Sequence, residues 1–296
     1  MRNLLLYIAV FGFLSMEGYS QKIEIIMSSD AGPFVKIANS YEIAIKAKGM
    51  TETGKYNLNV KDAQEIADAV NLSKPDFVIT IGTKAAKMAN EKLSAQRRIY
   101  TALLNPEEFM ASEICGISLN LSEEEKFTRL AEYFGSFRRC GVFYSAKSEK
   151  ILSVINVACK KLGIAVVAVK INNNSDLTEA IDELKGKVDF LYMVPDIDIY
   201  NSNSVEQFLK SCVQSRIPVV GLSESYTKGG ALISFDCDYS DIGLQTAILT
   251  ETISKKSSSG CKETPRKVIY YLNGHIAEHL GIILRPEILS GARLVY

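Results

Sequence analysis

The sequence has no excess charge of either sign and few residues of the kinds that build metal or redox sites. Lysine and arginine together number 34, aspartate and glutamate also number 34, and histidine occurs only twice. This balance gives no support for a nucleic-acid-binding protein. No C-x-x-C pair occurs, which argues against a zinc ribbon or a thioredoxin-type site. The six cysteines lie mostly in apolar runs, so we interpret them as small buried residues, with a disulfide as the alternative; they are Cys115, Cys140, Cys159, Cys212, Cys237 and Cys261.

No apolar run long enough to cross a membrane follows the first twenty residues. The N-terminus itself has a positive residue, Arg2, then an apolar stretch over residues 4–14, and small residues at Gly18 and Ser20. We interpret residues 1–20 as a cleaved signal peptide, with an uncleaved anchor as the alternative. No cysteine follows the apolar stretch, so a lipoprotein signal is not predicted. The expected location is periplasmic or secreted.

A strand–turn–helix pattern occurs once in each half of the chain. Asp76-Phe77 and Asp189-Phe190 each begin an apolar run that ends in a turn before a helical segment. Helical and strand patterns alternate along the rest of the chain, which is typical of parallel sheets with right-handed crossovers. We predict a short strand at residues 56–60 and a surface loop at residues 255–264. The pattern predicts two α/β lobes, with chain crossings near residues 115–120 and 235–239.

Polar residues follow most of the predicted strands. In open α/β sheets, ligands bind beyond the carboxyl ends of the strands. Helix starts with exposed N–H groups and a hydroxyl suit a carboxylate, and an aspartate suits an ammonium group. The alternative is that these residues only cap helices and form turns. The predicted ligand-binding residues are Ser28, Ser29, Asp30, Gly82, Thr83, Asn105, Tyr144, Ser145, Asp196, Ser223 and Asp238.

Two segments resemble catalytic motifs. Residues 275–279 match H-x-x-E-H, which places His275 and His279 on one helical face. Residues 221–225 begin like a nucleophile elbow at Ser223 but lack the closing glycine. No acidic metal ligand with suitable spacing follows the histidines, and no histidine base is apparent for the serine, so neither catalysis nor a bound metal is predicted.

From Asp76 to the C-terminus, an ordered set of short segments resembles one family. It is similar to the ABC-transporter substrate-binding proteins of the type that includes tryptophan- and tyrosine-binding members. The segments that carry the resemblance are residues 76–86 (DFVITIGTKAA), 105–106 (NP), 115–118 (CGIS), 188–196 (VDFLYMVPD), 217–219 (IPV), 229–231 (GGA), 238–243 (DYSDIG) and 273–286 (NGHIAEHLGIILRP). Lys84 and Cys115 depart from the family pattern, which often has proline and threonine there.

The resemblance implies a type I periplasmic binding protein fold, in which hinge crossings join two Rossmann-like lobes around a ligand cleft. The predicted lobes are residues 22–117 plus 238–266, and residues 118–237 plus 267–296. The implied function is capture of a small molecule for an ABC permease in the inner membrane, without catalysis, cofactor or nucleic acid. Amino acids are the expected ligands, aromatic ones first, with Asp196 on the amine, Thr83 and Ser145 on the carboxylate, and Tyr144 or Phe34 against the side chain. The alternatives are a ligand sensor without a transporter, and a hydrolase that uses Ser223 or a metal at His275 and His279.

Overall fold

Helices and strands alternate along the chain in the computed structural model, which describes residues 21–93, 97–104, 106, 109, 115–173, 176–201, 204–255 and 261–296. The strands are β1 (Lys22–Met27), β2 (Thr51–Asn57), β3 (Phe77–Ile81), β4 (Arg97–Leu103), β5 (Cys115–Ser118), β6 (Arg139–Tyr144), β7 (Ala165–Lys170), β8 (Phe190–Tyr192), β9 (Val219–Gly221), β10 (Ile233–Cys237), β11 (Lys262–Glu263), β12 (Val268–Leu272) and β13 (Leu294–Val295). The helices are α1 (Gly32–Ala47), α2 (Ala63–Ser73), α3 (Thr83–Lys92), α4 (Glu123–Tyr133), α5 (Glu149–Lys161), α6 (Leu177–Leu184), α7 (Val205–Gln214), α8 (Glu224–Lys228), α9 (Tyr239–Lys255), α10 (Gly274–Leu280) and α11 (Pro286–Gly291). Within these ranges no helix combines the length and the apolar character that a membrane span requires.

The first sheet has six strands in the order β11-β5-β4-β3-β1-β2, and its paired strands run parallel. Every residue of β3 is buried, as expected for a strand covered by helices on both faces. The second sheet has seven strands in the order β13-β12-β10-β9-β8-β6-β7. The two sheets form two Rossmann-like lobes, which confirms the predicted α/β fold class.

Two strands of the second sheet, β12 and β13, run opposite to the other five, whereas the prediction was of parallel sheets. β12 pairs antiparallel with β10, with Cys237 opposite Val268 and Ile233 opposite Leu272. The direction of β12 follows from the place where the chain re-enters the second lobe. β10 leaves the second lobe at its carboxyl end, and the chain returns from the first lobe at that same edge, so β12 runs back beside β10 in the opposite direction.

The edge strand β2 was also placed incorrectly by the sequence. It occupies residues 51–57, whereas the prediction was residues 56–60. Its residues are half-buried or exposed, because β2 is the last strand of the sheet and pairs only with β1. An edge strand held mainly by backbone hydrogen bonds has little of the apolar pattern that reveals a central strand. The predicted loop at residues 255–264 likewise contains the short edge strand β11, while residues 256–260 lie outside the described part of the chain.

Three short segments carry the chain between the two sheets. They link β5 to α4, β10 to α9, and β11 to β12. The Cys237 thiol donates a hydrogen bond to the Leu119 carbonyl at 3.6 Å, which joins the first and second crossings. Asp238 N–H donates to the Lys267 carbonyl at 3.2 Å, and the Asp238 carboxylate pairs with the Lys267 ammonium at 3.0 Å, which joins the second and third. The crossings therefore form one connected hinge, while the numerical lobe boundaries given above stay predictions.

The return of the chain to the first lobe depends on close packing between α9 and α1. Gly243 of α9 lies directly against α1: a β-carbon placed there would be 2.4 Å from the Ile37 carbonyl oxygen and 2.1 Å from the Ser40 hydroxyl. Farther along the same interface, Tyr41 and Thr250 share a buried hydrogen bond of 3.2 Å. Only glycine permits this approach, because the obstructing atoms include the α1 backbone.

We predict that Gly243→Ala lowers the free energy of unfolding by about 1–3 kcal/mol or more, because α9 must move away from α1. Urea unfolding followed by circular dichroism measures the change. Gly135→Ala is the matched control, since the nearest atom to a β-carbon at that position is 3.9 Å away. Equal stability of the two variants would contradict the packing argument.

Candidate functional site

The carboxyl ends of β1 and β3 meet at a tightly built corner of the first lobe. Ser28 N–H donates to the Ile81 carbonyl at 2.9 Å, and the Ser28 hydroxyl accepts from Ala85 N–H at 2.9 Å. Gly82 has a φ of +86°, and a β-carbon there would be 2.7 Å from both the Phe34 ring and the Ser28 hydroxyl. Ser28 and Gly82 therefore fix the start of α3, and the Phe34 ring lies over them.

The other predicted residues of the first lobe are more open. The Ser29 hydroxyl accepts from Ala31 N–H at 3.3 Å and so shapes the entry to α1. Asp30 and Thr83 are exposed, and Thr83 is the first residue of α3. Asn105 lies outside the described residues. The structure thus brings together polar groups after β1 and β3 at one edge of the first sheet.

Asp196 organises the corresponding corner of the second lobe. Its Oδ2 atom accepts hydrogen bonds from Ser145 N–H at 3.2 Å, from the Ser145 hydroxyl at 2.7 Å, and from the Ser148 hydroxyl. Its Oδ1 atom accepts from Asp198 N–H at 3.0 Å. Asp196 is 6% exposed, so these donors hold the turn after β8 against the turn after β6.

The same contacts determine the ionisation of Asp196. Burial alone would raise the pKa of this carboxyl, but the hydrogen bonds from Ser145, Ser148 and Asp198 favour the charged form. Their combined effect outweighs burial and lowers the pKa below its ordinary value of 3.8. Asp196 is therefore a charged anchor for this corner.

Three further predicted residues lie at different parts of the site. Tyr144 ends β6 and is half-buried, with the Lys170 ammonium 6.0 Å from its ring centre. Ser223 precedes α8, and its hydroxyl is 2.9 Å from the hydroxyl of Ser225. Asp238 belongs to the hinge, where its carboxylate holds the third crossing.

Asp236, near the end of β10, is a site residue that the sequence reasoning missed. Its Oδ1 atom accepts from the Tyr239 hydroxyl at 2.8 Å and from Cys237 N–H at 2.7 Å. Burial raises the pKa of Asp236 most, and the charge of Glu224 in the second lobe adds to the rise, whereas Lys36 of α1 opposes it. Asp236 thus lies where groups from both lobes act on one carboxylate.

A period-two pattern in the sequence could have found Asp236. Ile233 and Phe235 pack into the core, so Ser234 and Asp236 belong to the opposite face of the strand. The Ser234 hydroxyl accepts from the Thr227 hydroxyl of α8 at 2.7 Å, which identifies that face. Asp238, from the same return crossing, is among the predicted site residues, whereas Asp236 is not.

The structure does not bring the two catalytic motifs together. His275 and His279 lie exposed on α10, which follows Leu272 at the edge of the sheet where β10 begins. Ser223 lies at the opposite edge, beyond the carboxyl end of β9. Within the described ranges there is also no cluster of histidine, cysteine, aspartate and glutamate able to hold a metal ion. No described histidine is therefore placed to activate Ser223.

A pocket of about 510 Å³ opens between α7 and α8. Aromatic and aliphatic side chains supply most of its wall, and Ser225, Asn201 and Glu206 supply polar groups. All of the lining residues belong to the second sheet's helices and loops; they are Tyr200, Asn201, Val205, Glu206, Leu209, Ser225, Tyr226 and Gly229. The pocket flanks the corner at Ser223 and is not formed between the lobes.

Known proteins share this sequence pattern and this architecture. A curated tyrosine-binding protein of Clostridioides difficile (strain R20291) is 24% identical over 235 residues, which are 73% of this chain and 68% of that protein. The ligand-free, open structure of a substrate binding protein with adhesive properties from Clostridium difficile superposes with a TM-score of 0.79 at 20% identity, covering 93% of this chain and 99% of that one. An ABC domain in complex with L-Trp from Streptococcus pneumonia gives a TM-score of 0.64 at 16% identity, covering 94% of this chain and all (100%) of that one.

The solved structures support the type I periplasmic binding protein fold for the two lobes and their crossings. The family model described as ABC transporter substrate binding protein matches residues 22–295. It covers both sheets, all three crossings and every described residue of the predicted site. The chain therefore belongs to the family of ABC transporter substrate-binding proteins.

Proposed function

We propose that the protein is exported, captures a small amino acid in the cleft between its lobes, and delivers it to an ABC permease in the inner membrane. The N-terminal pattern of Arg2 followed by an apolar stretch motivates the export step. The names of the tyrosine-binding relative and of the L-Trp complex motivate the ligand class, with aromatic amino acids first.

The observation that carries the proposal is the meeting of the two lobes around Asp236. Tyr239, which begins α9 on the first lobe, donates to this carboxylate at the edge of the second sheet. Burial raises the pKa of Asp236, and Lys36 of α1 is close enough for its charge to oppose that rise. These contacts place Asp236 beside the second crossing, where the two lobes adjoin, and they support a ligand site at the boundary between the lobes.

The two corners have different parts in the proposed complex. The first turn of α3, at Thr83 and Lys84, offers backbone N–H groups to a ligand carboxylate. Phe34, held over Gly82, offers an apolar wall to an aromatic side chain. The Ser145 hydroxyl already donates its proton to Asp196. Of the two hydroxyls predicted to bind the ligand carboxylate, we therefore assign only that of Thr83. Each charge-assisted hydrogen bond of this kind contributes roughly 1.5–3 kcal/mol.

We further propose that binding closes the lobes about the hinge and that no chemical step follows. Three short crossings joined by few contacts allow the lobes to rotate as units. A ligand that contacts both corners stabilises the closed form, because it binds the closed form more tightly than the open form. A hydrolase is disfavoured, because the described histidines and Ser223 lie at opposite edges of the second sheet.

We predict that saturating L-tyrosine, L-tryptophan or L-phenylalanine raises the melting temperature of residues 21–296 by several degrees. A ligand at 100 times its dissociation constant stabilises the folded protein by about 2.7 kcal/mol. Differential scanning fluorimetry measures the shift, with N-acetylglucosamine and ribose as non-amino-acid controls. Small-angle scattering on the same samples should show a smaller radius of gyration with the effective ligand.

The amino-acid assignment is wrong if neither these three ligands nor the remaining amino acids and simple amines shift the melting temperature. A shift without compaction would retain the ligand class and reject closure of the lobes.

We predict that Asp196→Asn lowers the ligand-free free energy of unfolding by roughly 1–3 kcal/mol at pH 7, because the amide cannot replace all four accepted hydrogen bonds. The folded-state pKa of Asp196 is lowered, so its charge stabilises the fold above about pH 4 and this contribution is lost as the pH falls through the folded pKa. The difference in the free energy of unfolding between wild type and Asp196→Asn should therefore decrease as the pH is lowered. Urea unfolding at pH 7, 4 and 3 measures it.

The control is Asp198→Asn, which removes only an exposed ion pair with Lys147. If Asp196 instead binds only the ligand amine, its substitution will weaken binding and leave ligand-free stability unchanged.

A further inference from the structure

Asp236 lies one residue before the end of β10, at the carboxyl edge of the second sheet. β10 and β9 are parallel, with Ile233 opposite Val220 and Ser234 opposite Gly221. The pairing ends at Gly221, and Asp236 lies two residues beyond Ser234, at the same edge of the sheet where Ser223 leads into α8. Its side chain belongs to the strand face that α8 covers, as the hydrogen bond from Thr227 to Ser234 indicates. Asp236 is therefore a polar residue at the carboxyl edge of the second sheet, directly before the second crossing.

The Asp236 carboxylate is only partly satisfied. The Tyr239 hydroxyl and Cys237 N–H both donate to the same atom, Oδ1. Across the ranges that the structure describes, no hydrogen bond reaches Oδ2 and no cation lies within ion-pair distance of the carboxylate. Asp236 is nevertheless half-buried. It differs in this respect from Asp196, whose two oxygens both accept hydrogen bonds.

The surroundings of Asp236 are acidic and phenolic. Glu224, at the start of α8, acts on Asp236 through its negative charge and itself accepts from the Tyr296 hydroxyl at 2.7 Å. Burial raises the pKa of Tyr271 to about 12, and the negative charges of Asp236 and Glu224 add to the rise. The positive charge of Lys36 on the first lobe opposes the rise in the pKa of Asp236. A half-buried carboxylate in such surroundings is stabilised by a cation that brings its own hydrogen-bond donors.

We propose that Asp236 selects the charge of the bound molecule, with its Oδ2 atom accepting a hydrogen bond from a protonated primary amine of the ligand. This inference rests on the proposed binding function and identifies the ligand class as small molecules that carry an ammonium group. The Tyr239 hydroxyl positions the carboxylate by donating to Oδ1. Because Tyr239 is the first residue of α9, Asp236 also connects the bound ligand to that helix. Neither Asp196 nor Asp238 can fill this role as readily, because their carboxylates already hold the Ser145 corner and the hinge.

The test compares amino acids with derivatives that lack the free amine and with amines that lack the carboxylate. Isothermal titration calorimetry is performed with L-tyrosine and L-tryptophan, with tyramine and tryptamine, and with the two N-acetyl amino acids. Wild type should bind the free amino acids at least 100-fold more tightly than their N-acetyl derivatives. Asp236→Asn should weaken binding of the amine-bearing ligands at least tenfold and leave binding of the N-acetyl derivatives within twofold, which reduces the discrimination.

Two further variants separate charge selection from structure. Tyr239→Phe keeps the carboxylate and removes one of its donors, so it should retain more discrimination than Asp236→Asn. Asp182→Asn changes an exposed residue of α6 and should bind as wild type does. Melting temperatures of all variants without ligand report whether each is folded.

Each outcome decides the question. Loss of the preference for the amine in Asp236→Asn supports charge selection by this residue. Wild-type binding of free amino acids together with unchanged discrimination in Asp236→Asn overturns the inference and leaves the proposed function standing. Equal wild-type affinity for a free amino acid and its N-acetyl derivative also overturns it alone. A wild type that binds none of these molecules overturns both the inference and the amino-acid assignment.

Discussion

The contact between α9 and α1 at Gly243 is the constraint on which the two-lobed arrangement depends. Once β10 ends, the chain must return to the first lobe, and α9 makes that return by packing directly on the α1 backbone. Because α9 begins at Tyr239, its position also determines where the Tyr239 hydroxyl meets Asp236. A packing contact deep in one lobe thus sets the geometry of a polar contact at the cleft.

The two central carboxylates of the second lobe differ in how far their hydrogen bonding is completed. Asp196 accepts four hydrogen bonds and fixes two loops, so its contribution is to the shape of the corner. Asp236 accepts two hydrogen bonds at one oxygen and is half-buried. This pairing suits a binding site. The loops fixed by Asp196 lose little conformational entropy when a ligand binds, and the Oδ2 atom of Asp236 is available to form a hydrogen bond with it.

Local patterns in the sequence were sufficient for much of the fold. The apolar runs that begin at Phe77 and Phe190 are the strands β3 and β8, because covered parallel strands leave a strong apolar signal. The direction of β12 could not be predicted in the same way, since it follows from the place where the third crossing delivers the chain. The edge strand β2 has no apolar run to reveal it.

The site was predictable only in part for a related reason. Ser28 and Asp196 follow predicted strands, so the rule that ligands bind at carboxyl ends selected them. Their hydrogen-bond partners Ala85 and Ser148 are separate in the sequence, and only the fold shows how far each polar group is already engaged. Asp236 required knowledge of α1, α8 and α9 together, because its environment is made by segments distant along the chain.

The interrupted course of the chain also has a consequence for biosynthesis. About 190 residues separate the end of α1 from the start of α9, which covers it. At a synthesis rate of roughly 5–20 residues per second, about 10–40 s pass between the synthesis of α1, with its buried residues Ile37, Tyr41 and Ile45, and the synthesis of α9. Until α9 has been synthesised, the part of α1 that α9 contacts, which includes Tyr41, lacks its packing partner.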